Sequence, residues 1–588
     1  MPLLKLLFPE KRALVENSME TVSFTAGTCI MRQGSVGDGC YLIDEGTVRL
    51  EINIDEVDSD GVLGFLEAGM WLGEFSLVDS EPRSANAYAH TDVRAQYLSV
   101  AKFKALCSEH PEVGLSLISN LSRDITRKLR YMNERFADHL ISGTSSVAIN
   151  QTVSSAVAAQ KAFESWPEDR VDELLSCVAK AIYEKAEELA IDAVDETGLG
   201  VVDHKKQKIQ FYSKGISDYL AGKTGSGFIQ GNTHKGLKEI ASPMGVIFGL
   251  IPITNTVITI IFKTLICLKS RNALIFSCHR SSMRVGNKAG EIIKDTLRKH
   301  GAPENLVQWV KDRSSRAKTA MFMAHKDVSF ILATGGSSMV KAAYSSGTPA
   351  IGVGMGNTPV LICEDADVNK VAGMVISSKS FDNGIACGSE HNLIIHASLN
   401  DAFVSALEAN GAAVLNAEEA VQFNSKAISS RANSLRPELM GKTAETIAHA
   451  TGIERTYPIR LLVVPSDKED LQGPYAKEKL APILSLFIMN NIDEGMELCK
   501  QLLSYQGVGH TAIIHTYKEE AIKRFGLEMP VSRVLVNCRG AHGSTGIEGS
   551  LKPSTTLGCG TLGGSSTTDN VSFDNLLNIK RMVLNCQM

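Results

Sequence analysis

The fold of most of this chain is predicted by the stretch FILATGGSSMVKAAYSSGTPAIGVGMGNTPVLI, residues 330–362. Three apolar runs in it have the length of buried strands, and ATGGSS leads from the first run into a helical segment. Strands that alternate with helices are typical of a parallel sheet with crossover connections. Two earlier runs, GVIFGLIP and ALIFSC, continue the alternation. We therefore predict an α/β fold from about residue 152 onward.

The first part of the chain has a different pattern. Residues 1 to about 110 contain short alternating strands separated by glycine turns, which predicts a small β-barrel or jelly roll. Residues 110–136 carry apolar side chains at helical spacing, so we predict a helix there. The small and polar residues 137–151 are typical of a linker.

Composition restricts the class of protein. The 588 residues are 44% hydrophobic and 21% charged with a net charge of −5, which indicates a soluble protein of three or four folding units. No cluster of lysine and arginine suggests a nucleic-acid partner. The most apolar window, residues 245–268, is interrupted by Pro252, Asn255 and Lys263. It therefore predicts a buried strand, a turn and a buried helix, and no membrane span.

The twelve cysteines are scattered, without the spacing of a zinc site. We expect free thiols in a reducing compartment, no metal site and a cytoplasmic location. The N-terminus lacks the pattern of a secretory signal.

A second group of residues is typical of an anion site. In WLGEFSLVDSEPRSANAYA, residues 71–89, Gly73 allows close backbone approach, Glu74 can accept from a ribose hydroxyl, and Arg83 can grip a phosphate. Ser84 would complete the nest of donors. With IMRQGSVGDGCYLIDEGTVRL upstream, the stretch resembles the cyclic-nucleotide-binding domains. The resemblance implies that Glu74 contacts ribose and Arg83 contacts the phosphate of cAMP or cGMP. The alternative is a domain kept only for docking or dimerisation.

Four separated stretches carry a second resemblance: SPMGVIFGLIPITNT, residues 330–362, VISSKSFDNGIACGSEHNLIIH and YQGVGHTAIIHT. Together they resemble the CoA-acylating aldehyde dehydrogenases, in particular the dehydrogenase half of bifunctional aldehyde/alcohol dehydrogenases. The resemblance implies a Rossmann-like cofactor domain and an α/β catalytic domain.

The chemistry that the resemblance implies centres on Cys387. Its thiolate would attack an aldehyde, and the amide of Asn255 would stabilise the oxyanion. Hydride transfer would leave a thioester, which coenzyme A would accept. Hydrolytic relatives carry a water-activating glutamate where this chain has Val353. We therefore expect transfer to a thiol and not hydrolysis.

The cofactor residues follow from the same resemblance. The turn formed by Thr334, Gly335, Gly336 and Ser337 is expected to contact the pyrophosphate of NAD. Glu478 matches a glutamate that binds the nicotinamide ribose. Ser277 replaces a lysine that contacts the adenosine ribose in hydrolytic relatives, which leaves NAD or NADP open. His510 matches a histidine typical of the acylating group and is a candidate for the CoA or substrate pocket, or a buried structural residue.

We therefore predict a multidomain chain. A hydrolytic dehydrogenase and a catalytically inactive scaffold are the alternative functions, and we expect a homo-oligomer. The predicted ranges are 1–136 for a jelly-roll cyclic-nucleotide-binding domain with its helix, 137–151 for a linker, 152–365 for the NAD(P)-binding domain, 366–565 for the catalytic domain, and 566–588 for a segment returning to the dehydrogenase core.

Overall fold

A computed structural model describes residues 9–52, 61–77, 81–229, 236–312, 315–429, 433–471 and 473–584. Residues 1–8 of the predicted first domain and 585–588 of the predicted C-terminal segment lie outside these ranges. The chain divides into two compact units, Met1–Ile141 and Ser142–Met588.

The described part of the first unit is a pair of antiparallel sheets with short helices. Its elements are α1 Pro9–Asn17, β1 Glu20–Phe24, β2 Cys29–Met31, β3 Gly39–Glu45, β4 Val48–Ile52, β5 Gly61–Leu66, β6 Trp71–Leu72, β7 Asn86–Ala89, β8 Val93–Ser99 and α2 Val100–Glu109. The strand orders are β1-β8-β3-β6 and β2-β7-β4-β5. Strands β3 and β8 of the first sheet contribute to two apolar clusters, with Leu42 and Leu98 in one and Ile43 and Ala95 in the other. The predicted jelly roll is confirmed.

Helix α3, Pro111–Glu164, belongs to both units. It covers the predicted helix and also residues 137–151, so the predicted linker is helical. Side chains at helical spacing, Ile149, Val153 and Ala156, are buried in the core of the second unit. Their burial explains why small and polar residues before them do not end the helix: tertiary packing overrides a weak local propensity.

The second unit alternates helices with strands. Its helices are α4 Glu168–Glu184, α5 Ala186–Thr197, α6 Val202–Gln210, α7 Ile216–Leu220, α8 Thr256–Lys269, α9 Met283–Lys299, α10 Arg316–Met323, α11 Ser337–Tyr344, α12 Val368–Lys379, α13 Asn400–Ala409, α14 Ala417–Ala427, α15 Ala444–Thr451, α16 Ile492–Tyr505, α17 Glu519–Glu528 and α18 Gly540–Gly543. Its strands are β9 Gly227–Phe228, β10 Leu237–Pro243, β11 Val246–Ile251, β12 Ala273–Cys278, β13 Val307–Trp309, β14 Phe330–Thr334, β15 Ala350–Val353, β16 Thr358–Ile362, β17 Glu390–His396, β18 Ala412–Val414, β19 Ile428–Ser429, β20 Ser434–Leu435, β21 Leu461–Pro465, β22 Ile483–Met489, β23 Gly509–His515, β24 Val531–Val536 and β25 Leu577–Val583.

Two parallel sheets dominate the described part of this unit. One has the order β13-β12-β11-β14-β15, and the other β18-β21-β22-β17-β16-β23-β24. The predicted α/β architecture is confirmed. Strand β16 lies inside the range predicted for the cofactor domain but pairs with β17 and β23 of the second sheet. The change of sheet therefore falls between Val353 and Thr358, and the boundary predicted at 365 is too late by this strand.

A third sheet of this unit is antiparallel, with the order β25-β10-β9. Its register joins Leu237 to Val583 and Pro243 to Leu577, so the C-terminal strand returns to the middle of the chain. In the described ranges, no helix has both the length and the apolar character needed to cross a membrane.

The core of the first parallel sheet offers a test of stability. Phe276 on β12 is fully buried and stacks on Trp309, with ring centroids 5.7 Å apart. Because truncation leaves a cavity, Phe276→Ala should lower the free energy of unfolding by about 3–5 kcal/mol. The control, Leu527→Ala on α17, removes an apolar side chain from a site that is 88% exposed, and should cost less than about 1 kcal/mol. Urea unfolding of both variants measures the difference, and equal losses would contradict the packing described here.

Candidate active site and anion site

Cys387 lies in the loop between a single 3-10 turn, Phe381–Gly384, and strand β17. Its side chain is partly exposed. Two residues of the turn, Asp382 and Asn383, have left-handed backbone angles, with φ of 49° and 54°. Such angles are uncommon for residues with a Cβ, and they persist only where surrounding contacts hold them.

The contacts that hold this turn come from distant parts of the chain. The carboxylate of Asp382 accepts a hydrogen bond from the backbone N–H of Val201 at 2.8 Å and pairs with Lys205 at 3.1 Å and with Lys208. The side-chain amide of Asn383 donates to the carbonyl of Gly441 at 2.8 Å. The loop that carries Cys387 is therefore fixed to helix α6 by a buried ionic contact.

Asn255 stands directly before helix α8 and is partly exposed. Its side-chain carbonyl oxygen accepts a hydrogen bond from the ammonium group of Lys208 at 2.5 Å. Because Lys208 also contacts Asp382, the structure links the two predicted catalytic segments through one lysine.

The segment 353–357 lies against the loop of Cys387. A Cβ on Gly356 would collide with the carbonyl oxygen of Cys387, so only glycine allows this approach. Val353 is buried at the end of β15. Asn357 is fully buried and donates to the carbonyl of Ala476 at 2.7 Å. The segment therefore reaches Cys387, the predicted nucleophile, and contributes no carboxylate of its own.

The electrostatics at Cys387 favour the neutral thiol. Burial raises the pKa of Cys387 to about 12, the negative charge of Glu478 adds to the rise, and Arg533 opposes it. Glu478 accepts a hydrogen bond from the backbone N–H of Gly356 at 3.0 Å. Burial raises the pKa of Glu478 to about 7, so its charge changes near neutral pH. The thiol and this carboxyl group therefore influence each other's ionisation.

His510 is buried at the start of β23, and its Nδ1 shares a hydrogen bond with the hydroxyl of Thr511 at 2.9 Å. Burial, with a smaller effect of Arg533, lowers the pKa of His510 to about 3. The imidazole is therefore neutral at physiological pH. Both expectations for this residue, a pocket role and a structural role, stay predictions.

The predicted cofactor residues other than Glu478 lie at the carboxyl ends of strands β12 and β14 in the first parallel sheet. Ser277 on β12 and Ala333 on β14, just before Thr334, both align with Leu250 of the central strand β11. Strands β12 and β13 follow on one side of β11, and the chain then crosses to place β14 and β15 on the other side, which makes this end of the sheet a topological switch point. Asn255 follows β11 at the same end.

The Gly335–Gly336 turn opens helix α11. Gly336 is the N-cap residue, is exposed, and has no neighbour that a Cβ would touch. Ser337 is also exposed, whereas Ser277 is buried. The backbone N–H groups of an open helix start, with space for close approach, suit a phosphate group.

Arg83 of the first unit is 7% exposed, and four hydrogen bonds hold its guanidinium group. It donates to the carbonyl oxygens of Gly73 and Gly39 at 2.9 and 2.7 Å, to the hydroxyl of Ser76 at 3.1 Å, and to the carboxylate of Asp38 at 3.0 Å. This network fixes the arginine in a turn where Gly73 has a φ of +76°.

The other two predicted residues of this site differ in exposure. Glu74 is buried at the start of a short 3-10 helix, and Ser84 is exposed. The carboxylate of Asp38 is 72% exposed, so it is the solvent-facing partner of Arg83. The structure thus brings Gly73, Glu74 and Arg83 together, with Asp38 beside them.

Sequence reasoning missed several of these side chains. Lys205 and Lys208 are spaced as neighbours on one helix face, which for lysine normally indicates a solvated surface. Asp382 stands within the quoted FDNG, but nothing in that stretch indicates a buried ion pair with residues 205–208. The available signal was a pair of lysines on one helix face, together with an isolated aspartate close in sequence to the predicted nucleophile, Cys387.

Comparison with known proteins agrees with this geometry. The sequence profile of the aldehyde dehydrogenase family matches residues 139–558, and that of the cyclic nucleotide-binding domain matches residues 21–110. The bifunctional aldehyde-alcohol dehydrogenase of Escherichia coli is 36% identical over 442 residues, which are 74% of this chain and 49% of that protein. The chain thus spans about half the length of such bifunctional relatives.

Two other relatives are matched by this chain over almost their whole length. The acetylating succinate-semialdehyde dehydrogenase of Clostridium kluyveri is 33% identical over 437 residues, which are 74% of this chain and 95% of that protein. The crystal structure of an acetylating aldehyde dehydrogenase from Geobacillus thermoglucosidasius matches 76% of this chain and 98% of its own, with a TM-score of 0.73 and 37% identity. The chain belongs to the aldehyde dehydrogenase family and carries a cyclic nucleotide-binding domain in its N-terminal part.

Proposed function

We propose that this chain is a CoA-acylating aldehyde dehydrogenase, which converts an aldehyde, CoA and NAD(P)+ into an acyl-CoA and NAD(P)H through a thioester on Cys387. The observation that carries the proposal is the segment 353–357. It packs against the Cys387 loop, where a hydrolytic enzyme needs a base. It supplies Val353, two glycines, Met355 and Asn357, and the side chain of Asn357 already donates to the carbonyl of Ala476.

The residues that would hold the dinucleotide fit it. The open start of α11 at Gly336 suits the pyrophosphate, and Glu478 is the candidate partner of the nicotinamide ribose. Ser277, buried, and Arg280, exposed two residues beyond β12, stand where the adenosine ribose is expected. A neutral hydroxyl at this place favours NAD, and the arginine would favour NADP. The nicotinamide supplies a hydride acceptor when bound.

Cys387 and Asn255 carry out the first half of the reaction. Cys387 reacts as its thiolate, after the thiol proton passes to water. The sulfur forms a bond to the carbonyl carbon of the aldehyde, and the carbonyl oxygen takes the electron pair of the broken π bond. The side-chain amide of Asn255 and the backbone N–H of Cys387 donate to this oxyanion. When the hydride leaves the carbon with its electron pair, the C=O bond forms again and an acyl group remains on Cys387.

The second half of the reaction depends on whether water is prevented from reacting with the thioester. Segment 353–357 has no carboxylate to take a proton from water. The sulfur of coenzyme A is a better nucleophile and needs less assistance, so it attacks the acyl carbon and Cys387 leaves as a thiolate. We assign His510 to the CoA or substrate pocket as part of the proposal, with a buried structural role as the alternative; its low pKa keeps the imidazole neutral in either case.

The substrate class is a small aldehyde. Relatives named for succinate semialdehyde and sulfoacetaldehyde share 33% and 35% identity with this chain, and their named substrates have an acidic group at the far end. Both are included in the assay below, with acetaldehyde and longer aliphatic aldehydes.

The first unit is proposed to bind cAMP or cGMP and to modulate the dehydrogenase. The support is the cluster of Gly73, Glu74, Arg83 and the exposed Ser84. A single helix, α3, contains residues of both units and is the element through which an effect would pass. Coupling requires that the nucleotide change the rate or affinity at the second site.

We also propose a homo-oligomer. The sheet β25-β10-β9 exposes Phe228, Val583 and Leu584, which are apolar side chains that association would bury. Light scattering coupled to gel filtration measures the mass, and a monomer at micromolar concentration would contradict this part of the proposal.

The acylating reaction is tested by its dependence on CoA and on Cys387. NAD(P)H formation beyond one equivalent per Cys387 should require CoA, and Cys387→Ala should lower kcat at least about 10⁴-fold, since it removes the nucleophile. Absorbance of NAD(P)H, with mass analysis of the acyl-CoA, gives both results. Cys177→Ala on α4, which also removes a partly exposed thiol, should keep the parent rate.

Two other results would replace the proposal. Equal rates with and without CoA, with a free acid as product, would indicate a hydrolytic dehydrogenase. No NAD(P)H with any of the aldehydes, at substrate and cofactor concentrations in the millimolar range, would indicate an inactive scaffold.

Ionisation at the nucleophile gives a prediction for alkylation by iodoacetamide. In Glu478→Gln the alkylation rate of Cys387 should rise about tenfold per pH unit from 6 to 9, because a pKa near 12 lies far above this range. In the parent, Glu478 ionises near pH 7 and opposes the thiolate, so the rise should be less steep there. The variant should therefore react faster than the parent, with a gap that widens above pH 7.

Mass spectrometry of the peptide that contains Cys387 measures these rates separately from those of other thiols. Glu497→Gln, an exposed change on α16, serves as the charge-matched control and should follow the parent. A parent that reacts faster than Glu478→Gln at pH 8.5 would contradict the assigned interaction.

Cyclic nucleotide binding is tested at Arg83. Arg83→Lys keeps the charge but loses the planar fork, and Arg83→Ala loses both. We expect at least about a 30-fold weaker Kd for Arg83→Ala, since a buried charge-assisted contact to phosphate is lost. Arg94→Ala, which removes an exposed arginine paired with Glu45, is the control. Calorimetric titration with cAMP and with cGMP gives the affinities, and absence of binding by the parent would leave the unit as a docking module.

A further inference from the structure

We propose that Lys208 is a positioning residue that fixes the side-chain amide of Asn255 in the orientation needed to stabilise the oxyanion. This inference rests on the proposed function, in which Asn255 donates to the oxyanion formed at Cys387. It adds a residue of helix α6 to the machinery of the reaction.

The chemistry of lysine determines which end of the amide it binds. A protonated lysine has three N–H donors and no acceptor, so an asparagine beside it must present its oxygen. Lys208 donates to the oxygen of Asn255 at 2.5 Å. The amide –NH₂ group of Asn255 then lies on the other side of the side chain, where one donor makes a long hydrogen bond to the hydroxyl of Thr254 at 3.4 Å and the second remains for the oxyanion. Without the lysine, the two orientations of the amide would differ much less in energy.

The position of Asn255 in the fold supports a role outside the helix. Asparagine is among the preferred residues at a helix N-cap, where its oxygen normally accepts from the first backbone N–H groups. Asn255 is the N-cap of α8, yet its side chain makes no capping hydrogen bond. The oxygen is instead occupied by Lys208. The local stabilisation that a cap would contribute is given up at this place.

The same ammonium group connects Asn255 to the nucleophile. Lys208 pairs with the carboxylate of Asp382, five residues before Cys387, in the turn with left-handed backbone angles. The side chains of Lys208 and Asp382 are 9% and 2% exposed. Since both donors of the oxyanion site must meet one oxygen atom, a shared buried anchor fixes their relative position.

Lys205 provides an internal comparison. It is equally buried and pairs with the same carboxylate at 3.1 Å, but its other hydrogen bond goes to the backbone carbonyl of Thr254 at 3.1 Å. Lys205 therefore shares the structural part of the role of Lys208 and lacks the contact with the amide of Asn255. Removal of either lysine leaves Asp382 with one cationic partner.

The test compares Lys208→Met with Lys205→Met, alone and together with Asn255→Ala, in the full-length chain. The readout is the rate of NADH formation in the first turnover, in the presence of aldehyde and NAD. Loss of one oxyanion donor typically lowers such a rate about 10²–10³-fold. We expect a loss in this range for Asn255→Ala and for Lys208→Met, less than about a tenfold loss for Lys205→Met, and aldehyde KM values within about threefold of the parent.

The double variant decides whether Lys208 acts through Asn255. If it does, Lys208→Met should change the rate of Asn255→Ala by less than about threefold. Thermal unfolding of the two lysine variants should be similar, because both leave the same carboxylate with one partner. A loss that multiplies with that of Asn255→Ala would overturn the inference, as would equal kinetic losses for the two lysine variants or an unchanged rate for Lys208→Met.

The result for Asn255→Ala separates this inference from the proposed function. If Asn255→Ala keeps the parent rate, the assignment of Asn255 as an oxyanion donor fails, and the role of Lys208 fails with it. If Asn255→Ala is slow but Lys208→Met is not, the proposed function stands and only the positioning role is overturned.

Discussion

The candidate dehydrogenase site depends on the contacts of one buried group, the carboxylate of Asp382. It accepts from the N–H of Val201 and from two lysines of helix α6, and it stands in a turn whose backbone is left-handed at two consecutive non-glycine residues. Such a turn is unfavourable by itself by about 1–3 kcal/mol per residue. The ionic contact joins this turn, and with it the loop of Cys387, to helix α6, and the hydrogen bond from Asn383 to Gly441 adds a second attachment.

The ionisation of this cluster is consistent with its burial. The two lysines lower the pKa of Asp382 against the opposing effect of desolvation, so the carboxylate is charged. Burial lowers the pKa of Lys205 to about 8, with Asp382 acting in the opposite direction. Replacement of such clusters by apolar residues is often neutral or stabilising, so stability alone does not explain a charged cluster at this place. A geometric role, in which charges with fixed directions orient an amide and a loop, explains it better.

The sequence predicted the fold from features that are local. Runs of buried residues between helical segments predicted the parallel sheets, and glycine-punctuated alternation predicted the two antiparallel sheets of the first unit. Local features did not predict the helix over residues 137–151, because the side chains that hold it, Ile149, Val153 and Ala156, pack in a core formed with distant parts of the chain. The boundary near 365 failed for a related reason. Strand β16 has the same composition in either sheet, and only its pairing with β17 and β23 places it.

For the candidate site, resemblance to known motifs located Cys387, Asn255 and Glu478, whose roles stay proposals, but it gave no account of their electrostatics. A thiol with a pKa near 12 beside a carboxyl group that ionises near 7 is poorly ionised at rest. An unreactive resting thiol is protected from oxidation and alkylation, since reactivity follows the thiolate fraction. Under the proposed mechanism, formation of the thiolate therefore adds to the barrier, and hydrogen bonds to the oxyanion must offset that cost. The proposed orientation of Asn255 by Lys208 and Asp382 is one contribution of this kind.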